Sequence, residues 1–216
     1  GLLGGFVMSF SFIAFVFAMM NTSVANVVFI ISTQTMFLAI FGYFYLREKI
    51  SIISLLSITL AMMGISVMIG DSISGGTLFG NLVALTIPIS FSILVMIIRK
   101  NSNLDLVPAI WYASISSTLI SFLMTNDLSF TNNDILMGFL LGVPQLTFGF
   151  VCITIGSRTT KSVTIGLLML TETIFAPLWV WLFLNEIPPM SVFIGGSIII
   201  FAIIIKSLDK TKQISA

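Results

Sequence analysis

Most charged and strongly polar residues lie in short segments of this chain, and eight long apolar runs lie between these segments. The runs cover residues 2–20, 24–46, 51–70, 77–98, 107–124, 135–156, 162–184 and 188–205. Each is close to the about 20 residues that a helix needs to cross a hydrocarbon core of roughly 30 Å. Apolar residues are continuous within the runs and do not alternate with polar ones. This pattern predicts membrane-spanning helices and not the strands of a membrane barrel.

The composition supports the same class of protein. Hydrophobic residues make up 57% of the chain and charged residues 8%, whereas soluble domains contain about 25% charged residues. We therefore predict an all-α polytopic membrane protein whose main surroundings are the lipid bilayer. The chain has no His and one cysteine, Cys152, which argues against zinc clusters, disulfide frameworks and His-based catalysis. We predict no metal, no cofactor and no nucleic-acid partner.

The charges between the runs are distributed unequally. When the connections are assigned alternately to two sides, all nine Lys and Arg residues fall on one side: Arg47, Lys49, Arg99, Lys100, Arg158, Lys161, Lys206, Lys210 and Lys212. The other side receives only the acids Asp71, Asp127, Asp134 and Glu186. The positive-inside rule then predicts that the basic side and the C-terminus lie in the cytoplasm. A bacterial inner membrane fits this distribution, and a eukaryotic membrane stays an alternative.

The chain also contains an internal repeat. Residues 32–50 align without gaps with residues 170–188, at an offset of 138 positions. The matching pairs are Thr33 and Thr171, Thr35 and Thr173, Phe37 and Phe175, Leu46 and Leu184, Glu48 and Glu186, with Gln34 opposite Glu172. The offset carries the second span onto the seventh, and an odd number of crossings inverts the copy. Inverted repeats with polar residues at matching mid-helix positions are typical of alternating-access transporters, whose site lies between the repeats.

The two copies, TETIFAPLWVWLFLNE and QTMFLAIFGYFYLRE, carry an acid or amide fourteen positions before a second acid. This pattern resembles the EamA-type transporters of the drug/metabolite transporter superfamily, although Thr173 stands where the family often has proline. The resemblance implies a ten-helix fold of two inverted five-helix repeats. Residues 1–70 would be the last three helices of the first repeat, 75–206 the second repeat, and 207–216 a cytoplasmic tail. By the same offset we expect roughly 60–65 residues, two helices by length, before Gly1; a natural eight-helix protein is the alternative.

Glu172 is the one charged residue inside the eight runs. It lies ten residues into the seventh span, about 15 Å along a helix and hence near the middle of the hydrocarbon. A buried acid there disfavours membrane insertion by about 2.5–3.5 kcal/mol. We predict that Glu172 lines a site, where it would bind a cationic group of a substrate or carry a proton that couples transport. The alternative is a protonated side chain that only hydrogen-bonds a neighbouring helix, worth about 0.6 kcal/mol.

Other polar or aromatic residues are weaker candidates for the same site. Thr164 precedes Glu172 by eight residues, and Asn26 and Gln34 are the corresponding pair in span two. Gln145 follows Pro144, a residue that can free backbone carbonyls toward a cavity. Trp111 and Tyr112 are either cavity aromatics or interfacial anchors. Glu48 and Glu186 are expected to be structural, each complementing the N-terminus of the helix that follows it.

Together these features predict a secondary-active transporter that exports small polar or amphipathic metabolites, such as amino acids or amines, by alternating access. The nucleotide-binding pattern GxxxxGK[ST] is absent, so the energy would have to come from an ion or solute gradient. Protons are the candidate coupling ion, because Glu172 could carry one. A non-transporting membrane scaffold and a lipid flippase of the same superfamily are the alternatives. An intramembrane enzyme is disfavoured because a single mid-membrane acid without His provides no nucleophile–base pair.

Overall fold

The computed structural model describes residues 1–69, 77–125, 131–185, 187 and 189–208, and within these residues every regular element is helical. The helices are α1 (Leu2–Asn21), α2 (Val24–Ser32), α3 (Gln34–Leu46), α4 (Ile52–Ile69), α5 (Leu78–Lys100), α6 (Pro108–Met124), α7 (Asn132–Leu140), a π-helical segment (Leu141–Thr147), α8 (Phe148–Gly156), α9 (Ser162–Leu184) and α10 (Met190–Ser207). The predicted all-α fold is thereby confirmed. Asp71, Asp127, Glu186, Lys210, Lys212 and nearly all of the predicted tail lie outside the described residues.

Most of these helices have the length and composition of membrane spans. Within the described part of the chain, five apolar stretches are long enough to cross a bilayer: Leu2–Asn21, Asn26–Leu46, Leu78–Lys100, Asn132–Gly156 and Met190–Ser207. Three shorter apolar stretches, Ile52–Met68, Pro108–Met124 and Ser162–Phe175, occupy the remaining predicted spans. The eight hydrophobic runs of the sequence therefore correspond to eight helical stretches of the structure.

Polar residues at the ends of the runs fix where helices begin. The hydroxyl of Ser23 accepts a hydrogen bond from the Asn26 amide at 3.2 Å, and that of Thr77 accepts one from the Gly80 amide at 3.0 Å. Thr131 and Asp134 form a reciprocal capping box at the start of α7. Such caps satisfy N–H groups that have no partner inside the helix. Asp134, identified from the sequence as an outer acid, is therefore also a capping residue.

Two helix ends show the internal repeat directly in the backbone. Arg47 after α3 and Asn185 after α9 have φ of 54° and 55°, and they are the only non-glycine residues with positive φ in the part of the chain that the structure describes. They are separated by the same offset of 138 positions that aligns the two sequence segments. A left-handed residue is uncommon outside glycine. Its recurrence at matching positions shows that both copies end their helix in the same way.

Two of the predicted spans are interrupted near their middle. Between α2 and α3, the Thr33 hydroxyl donates to the Ile30 carbonyl at 2.6 Å, and the Thr33 amide donates to the same oxygen. Such local bonds compete with the regular helical ladder. The other interruption is the π-helical segment, which contains Pro144; proline lacks an N–H and crowds the carbonyl four residues earlier. The sequence predicted each span as one helix, with a disturbance expected at Pro144 and none at Thr33.

The helices pack through small residues at a few close crossings. A Cβ added to Gly195 of α10 would contact the Gly64 carbonyl of α4, and one added to Gly5 of α1 would lie 2.8 Å from the Ala109 carbonyl of α6. On α3, the Thr35 hydroxyl donates to the Gly166 carbonyl of α9 at 3.0 Å. Close backbone approach of this kind is how helices associate in membranes, where hydrophobic burial gives little driving force. These crossings join α10 to α4, α1 to α6 and α3 to α9.

One end of the bundle, which we call the basic end, collects Arg47, Arg99 and Arg158. Glu48 forms an ion pair with Arg99 of α5, and its Oε2 accepts the Ser162 N–H of α9 at 3.1 Å. Glu48 does complement a helix N-terminus, but the expectation that this helix would be the following one, α4, is wrong. Because Arg47 turns the backbone into the left-handed region, the carboxylate of Glu48 is directed at α9.

Candidate substrate site

Glu172 lies on the wall of an open cavity of about 630 Å³, beside α9 and the π-helical segment. The other described residues that line this cavity are Gln145, Phe175 and Trp179. The Glu172 side chain is exposed to the cavity and makes no hydrogen bond or ion pair with any residue that the structure describes. An ionisable group in this position needs water or a ligand as its partner. The arrangement therefore leaves the carboxylate available for binding.

The helical spacing of residues on α9 explains why two aromatic rings line the same cavity as the Glu172 carboxylate. Phe175 and Trp179 follow Glu172 by three and seven residues, spacings that bring side chains to the same face of a helix. Their exposed fractions are 52% and 54%. The cavity wall on α9 is therefore a stripe with one anionic group and two aromatic faces.

The interrupted span also contributes to the wall of this cavity. Gln145 lies in the π-helical segment directly after Pro144, where the regular ladder of backbone bonds is lost. The Thr147 hydroxyl compensates for part of this loss by donating to the Gly142 carbonyl at 2.8 Å. π-helical turns are frequent at functional sites, since they re-orient side chains within an otherwise regular helix. Here the segment presents a carboxamide to the cavity that contains Glu172.

Asn26, a predicted site residue, occupies a different place. Its Nδ2 donates to the Thr22 hydroxyl at 3.2 Å and to Asn81 Oδ1 at 3.4 Å, and the Thr22 hydroxyl itself donates to Asn81 Oδ1 at 2.6 Å. Asn26 is 7% exposed. The three residues form a polar cluster that joins the start of α2 to α5, at the end of the bundle opposite the basic end.

The remaining predicted site residues do not line the described cavity either. Gln34 is 6% exposed, and no described residue hydrogen-bonds its carboxamide. Thr164 is half-buried on α9. Trp111 is 70% exposed at the start of α6, and neighbouring Tyr112 packs beside Gly5 of α1. Of the residues predicted from the sequence, the structure therefore brings Glu172 and Gln145 together.

A sequence model of the EamA-like transporter family matches residues 1–70 and 78–208. The chain belongs to the EamA-like transporter family. The predicted resemblance is thereby confirmed, and the apolar helices identify this EamA-like protein as an integral membrane protein with several spans. No curated protein matches the sequence significantly.

A solved structure, described in its title only as "Crystal structure of protein", has the same fold as this EamA-like chain. The TM-score is 0.84 at 15% sequence identity, and the match covers 95% of this chain and 76% of the other. At this identity the likeness shows the fold alone. It adds nothing about the substrate.

Several contacts of the EamA-like protein were not predicted from the sequence. Phe175 and Trp179 are hidden among many apolar residues, and only their spacing from Glu172 singles them out. Asn81 and Arg99 are distant in sequence from their partners, so no local pattern indicates those contacts. Within the described residues, no group of three or more His, Cys, Asp or Glu side chains could hold a metal ion.

Proposed function

We propose that this EamA-like protein is a secondary-active transporter that exports small polar metabolites carrying an amino group. The observation that carries the proposal is the Glu172 carboxylate, which faces an open cavity and has no partner among the described residues. A carboxylate attracts a protonated amine, and this attraction would strengthen when alternating access closes the cavity and excludes water. The cavity of about 630 Å³ is in the usual range for small-molecule sites.

The proposed mechanism is alternating access between the two inverted repeats. Glu172 would bind the substrate amine in one step and a proton in another, so that the proton gradient drives export. A carboxylate used in turn by a cation and a proton provides such coupling without a nucleotide. The proposal places the protein in a bacterial inner membrane with the basic end and the C-terminus in the cytoplasm.

The test uses the full-length protein in proteoliposomes with an imposed proton gradient. Transport of a panel of radiolabelled amines and amino acids is measured between about pH 5.5 and 8 for wild type, Glu172→Gln and Glu172→Asp. We expect Glu172→Gln to abolish gradient-driven transport, because the amide has no negative charge to balance an ammonium group and does not bind and release a proton. We expect Glu172→Asp to keep the coupling at a reduced rate.

Asp134→Asn is the matched control. Asp134 is the third residue of α7 and lies outside the cavity, and its side chain accepts the N–H of the N-cap residue Thr131. The amide oxygen of Asn can accept the same bond, so the substitution removes only the charge. We expect it to leave transport unchanged. Equal transport by wild type and Glu172→Gln at every pH would reject both roles proposed for Glu172.

A further inference from the structure

The aromatic residues of the cavity belong to a longer stripe on α9. Phe183 follows Trp179 by four residues, and their rings are stacked with centroids 5.8 Å apart and planes at 28°. Counting from Glu172, the rings follow at three, seven and eleven positions, which at about 100° per residue places them on one face of the helix. The stripe therefore extends from the carboxylate to the end of α9, away from the basic end.

The first repeat carries the same stripe. At the offset of 138 positions, Gln34 replaces Glu172, and the following positions are Phe37, Phe41 and Tyr45. The rings of Phe37 and Phe41 are in contact, with centroids 6.2 Å apart. Two inverted helices thus each carry a polar group followed by three aromatic residues, and the intervals between these residues are the same in both helices. Aromatic side chains that only face lipid have no reason to recur at fixed distances from a polar residue, so the shared spacing favours a role beside that residue.

The stripe of the first repeat already binds a cation. Lys100 places its ammonium group 4.6 Å from the centroid of the Tyr45 ring and donates a hydrogen bond to the Tyr45 hydroxyl at 3.2 Å. The face of an aromatic ring carries partial negative charge and attracts cations, including quaternary ammonium groups that cannot donate a hydrogen bond. The described lining of the cavity contains no Lys or Arg that would occupy the corresponding rings of α9.

We propose that Phe175 and Trp179 form the aromatic half of the substrate site and select organic cations with an apolar body. The amine or quaternary ammonium group lies between Glu172 and the ring of Phe175, and the apolar body extends toward Trp179. Along the helix axis the Phe175 and Trp179 positions lie about 4.5 and 10.5 Å from Glu172. They are therefore about 6 Å apart, close to the distance between the nitrogen and the ring of an arylalkylamine. This inference rests on the proposed function and names the substrate class of that site. Because the described lining holds no cationic group for a substrate carboxylate, amines bind more tightly than amino acids.

The test compares four probes on the full-length protein in proteoliposomes: phenethylamine, its N,N,N-trimethyl derivative, phenethyl alcohol and ethylamine. Binding is measured by calorimetry and transport by flux. For wild type we expect both phenethyl cations to bind more tightly than the neutral alcohol and than ethylamine. Trp179→Leu should weaken binding of the two phenethyl cations about threefold to thirtyfold. It should leave ethylamine unchanged, and Trp179→Phe should keep most of the affinity.

Trp181→Leu is the matched control on the same helix. Trp181 lies about 200° around α9 from Trp179, and its ring makes an edge contact with Phe193 of α10 at 6.1 Å. We expect this variant to leave the ranking of the four probes unchanged. Phe175→Leu provides a second variant of the stripe, and a melting curve of each variant confirms that it is folded.

Two results would overturn the inference. If Trp179→Leu and Trp181→Leu weaken all four probes equally, Trp179 is only an interfacial anchor. If the neutral alcohol binds as tightly as phenethylamine in wild type, the site does not select cations. The Glu172→Gln variant separates this failure from that of the proposed function. If Glu172→Gln abolishes transport but Trp179→Leu leaves the ranking of the probes unchanged, only the aromatic site is rejected. If Glu172→Gln leaves transport unaltered, the proposed function itself is rejected.

Discussion

Replacement of Glu48 by Gln is expected to destabilise the protein far more than its position at a helix end suggests. The Glu48 and Arg99 side chains are only 14% and 15% exposed, and they join the end of α3 to α5. Arg99 Nε and Nη1 have no hydrogen-bond partner in the described structure. Glu48→Gln keeps an oxygen that can accept the Ser162 N–H, so the substitution isolates the loss of charge.

The magnitude follows from the burial of the pair. Removal of one partner from a buried ion pair destabilises a protein by about 3–5 kcal/mol, because the other charge stays buried and unpaired. Since both side chains keep some contact with solvent, we expect the lower end, about 3 kcal/mol. For a chain of this length this corresponds to a fall in melting temperature of roughly 6–12 °C. The Arg158–Asp105 pair at the same end is a natural comparison, with exposed fractions of 28% and 69%. Its loss through Asp105→Asn should cost less than about 1 kcal/mol.

The assay is thermal unfolding of the purified protein in detergent, followed by size-exclusion chromatography of the heated samples. The variants are Glu48→Gln, Arg99→Gln, the double variant and Asp105→Asn, which together give a double-mutant cycle for the buried pair. We expect the double variant to be no less stable than either single variant, since it leaves no unpaired charge. Additive losses, or an equal loss for Asp105→Asn, would refute the assignment of a buried pair.

Two further predictions concern helix packing. Gly195→Ala should lower stability by about 1–3 kcal/mol in the same melting assay, because the new Cβ would lie 2.7 Å from Met68 Cβ and against the Gly64 carbonyl. Gly149→Ala is the control, because no described atom lies within 4 Å of the added Cβ. Its higher helix propensity should raise stability by up to about 1 kcal/mol. Equal losses of stability in the two variants would contradict the close crossing of α4 and α10. Thr35→Val should remove the hydrogen bond to Gly166 at unchanged shape, with a loss of about 0.6 and at most about 1.7 kcal/mol; a larger loss would mean that Thr35 does more than join α3 to α9.

The positions of the spans were predictable because lipid leaves so few alternatives. A run of apolar residues long enough to cross the bilayer must satisfy its backbone internally, and only a helix does so within one run. The interruptions were not predictable in the same way. Thr33 is one of many Thr residues at apolar positions, and nothing local indicates that its hydroxyl replaces the regular ladder. Pro144 did indicate a local disturbance, but not that it would be a π-helical turn.

Of the residues on the α9 wall of the candidate site, only the charged one, Glu172, could be identified from the sequence. Glu172 stands out because a carboxylate is unfavourable in hydrocarbon, whereas Phe175 and Trp179 do not stand out among the many aromatic residues of this chain. Asn26 and Glu172 are both polar residues within apolar runs, yet Asn26 hydrogen-bonds Thr22, four residues earlier, and Asn81, which lies 55 positions away on α5. A partner so distant in sequence follows from helix packing and not from spacing.

The two repeats carry different polar residues at the equivalent mid-helix position, and each residue suits its surroundings in the structure. Gln34 and Glu172 occupy equivalent positions, but Gln34 is 6% exposed while Glu172 faces an open cavity. A neutral amide can be packed between helices at moderate cost, whereas a carboxylate without a cation or water would be strongly destabilised there. Phe41, on the stripe that follows Gln34, likewise packs against a buried cluster formed by α3, α5 and α9, whereas Trp179 lines the open cavity. The acid therefore stands in the repeat whose stripe is accessible, where the cavity can supply the partner that its charge requires.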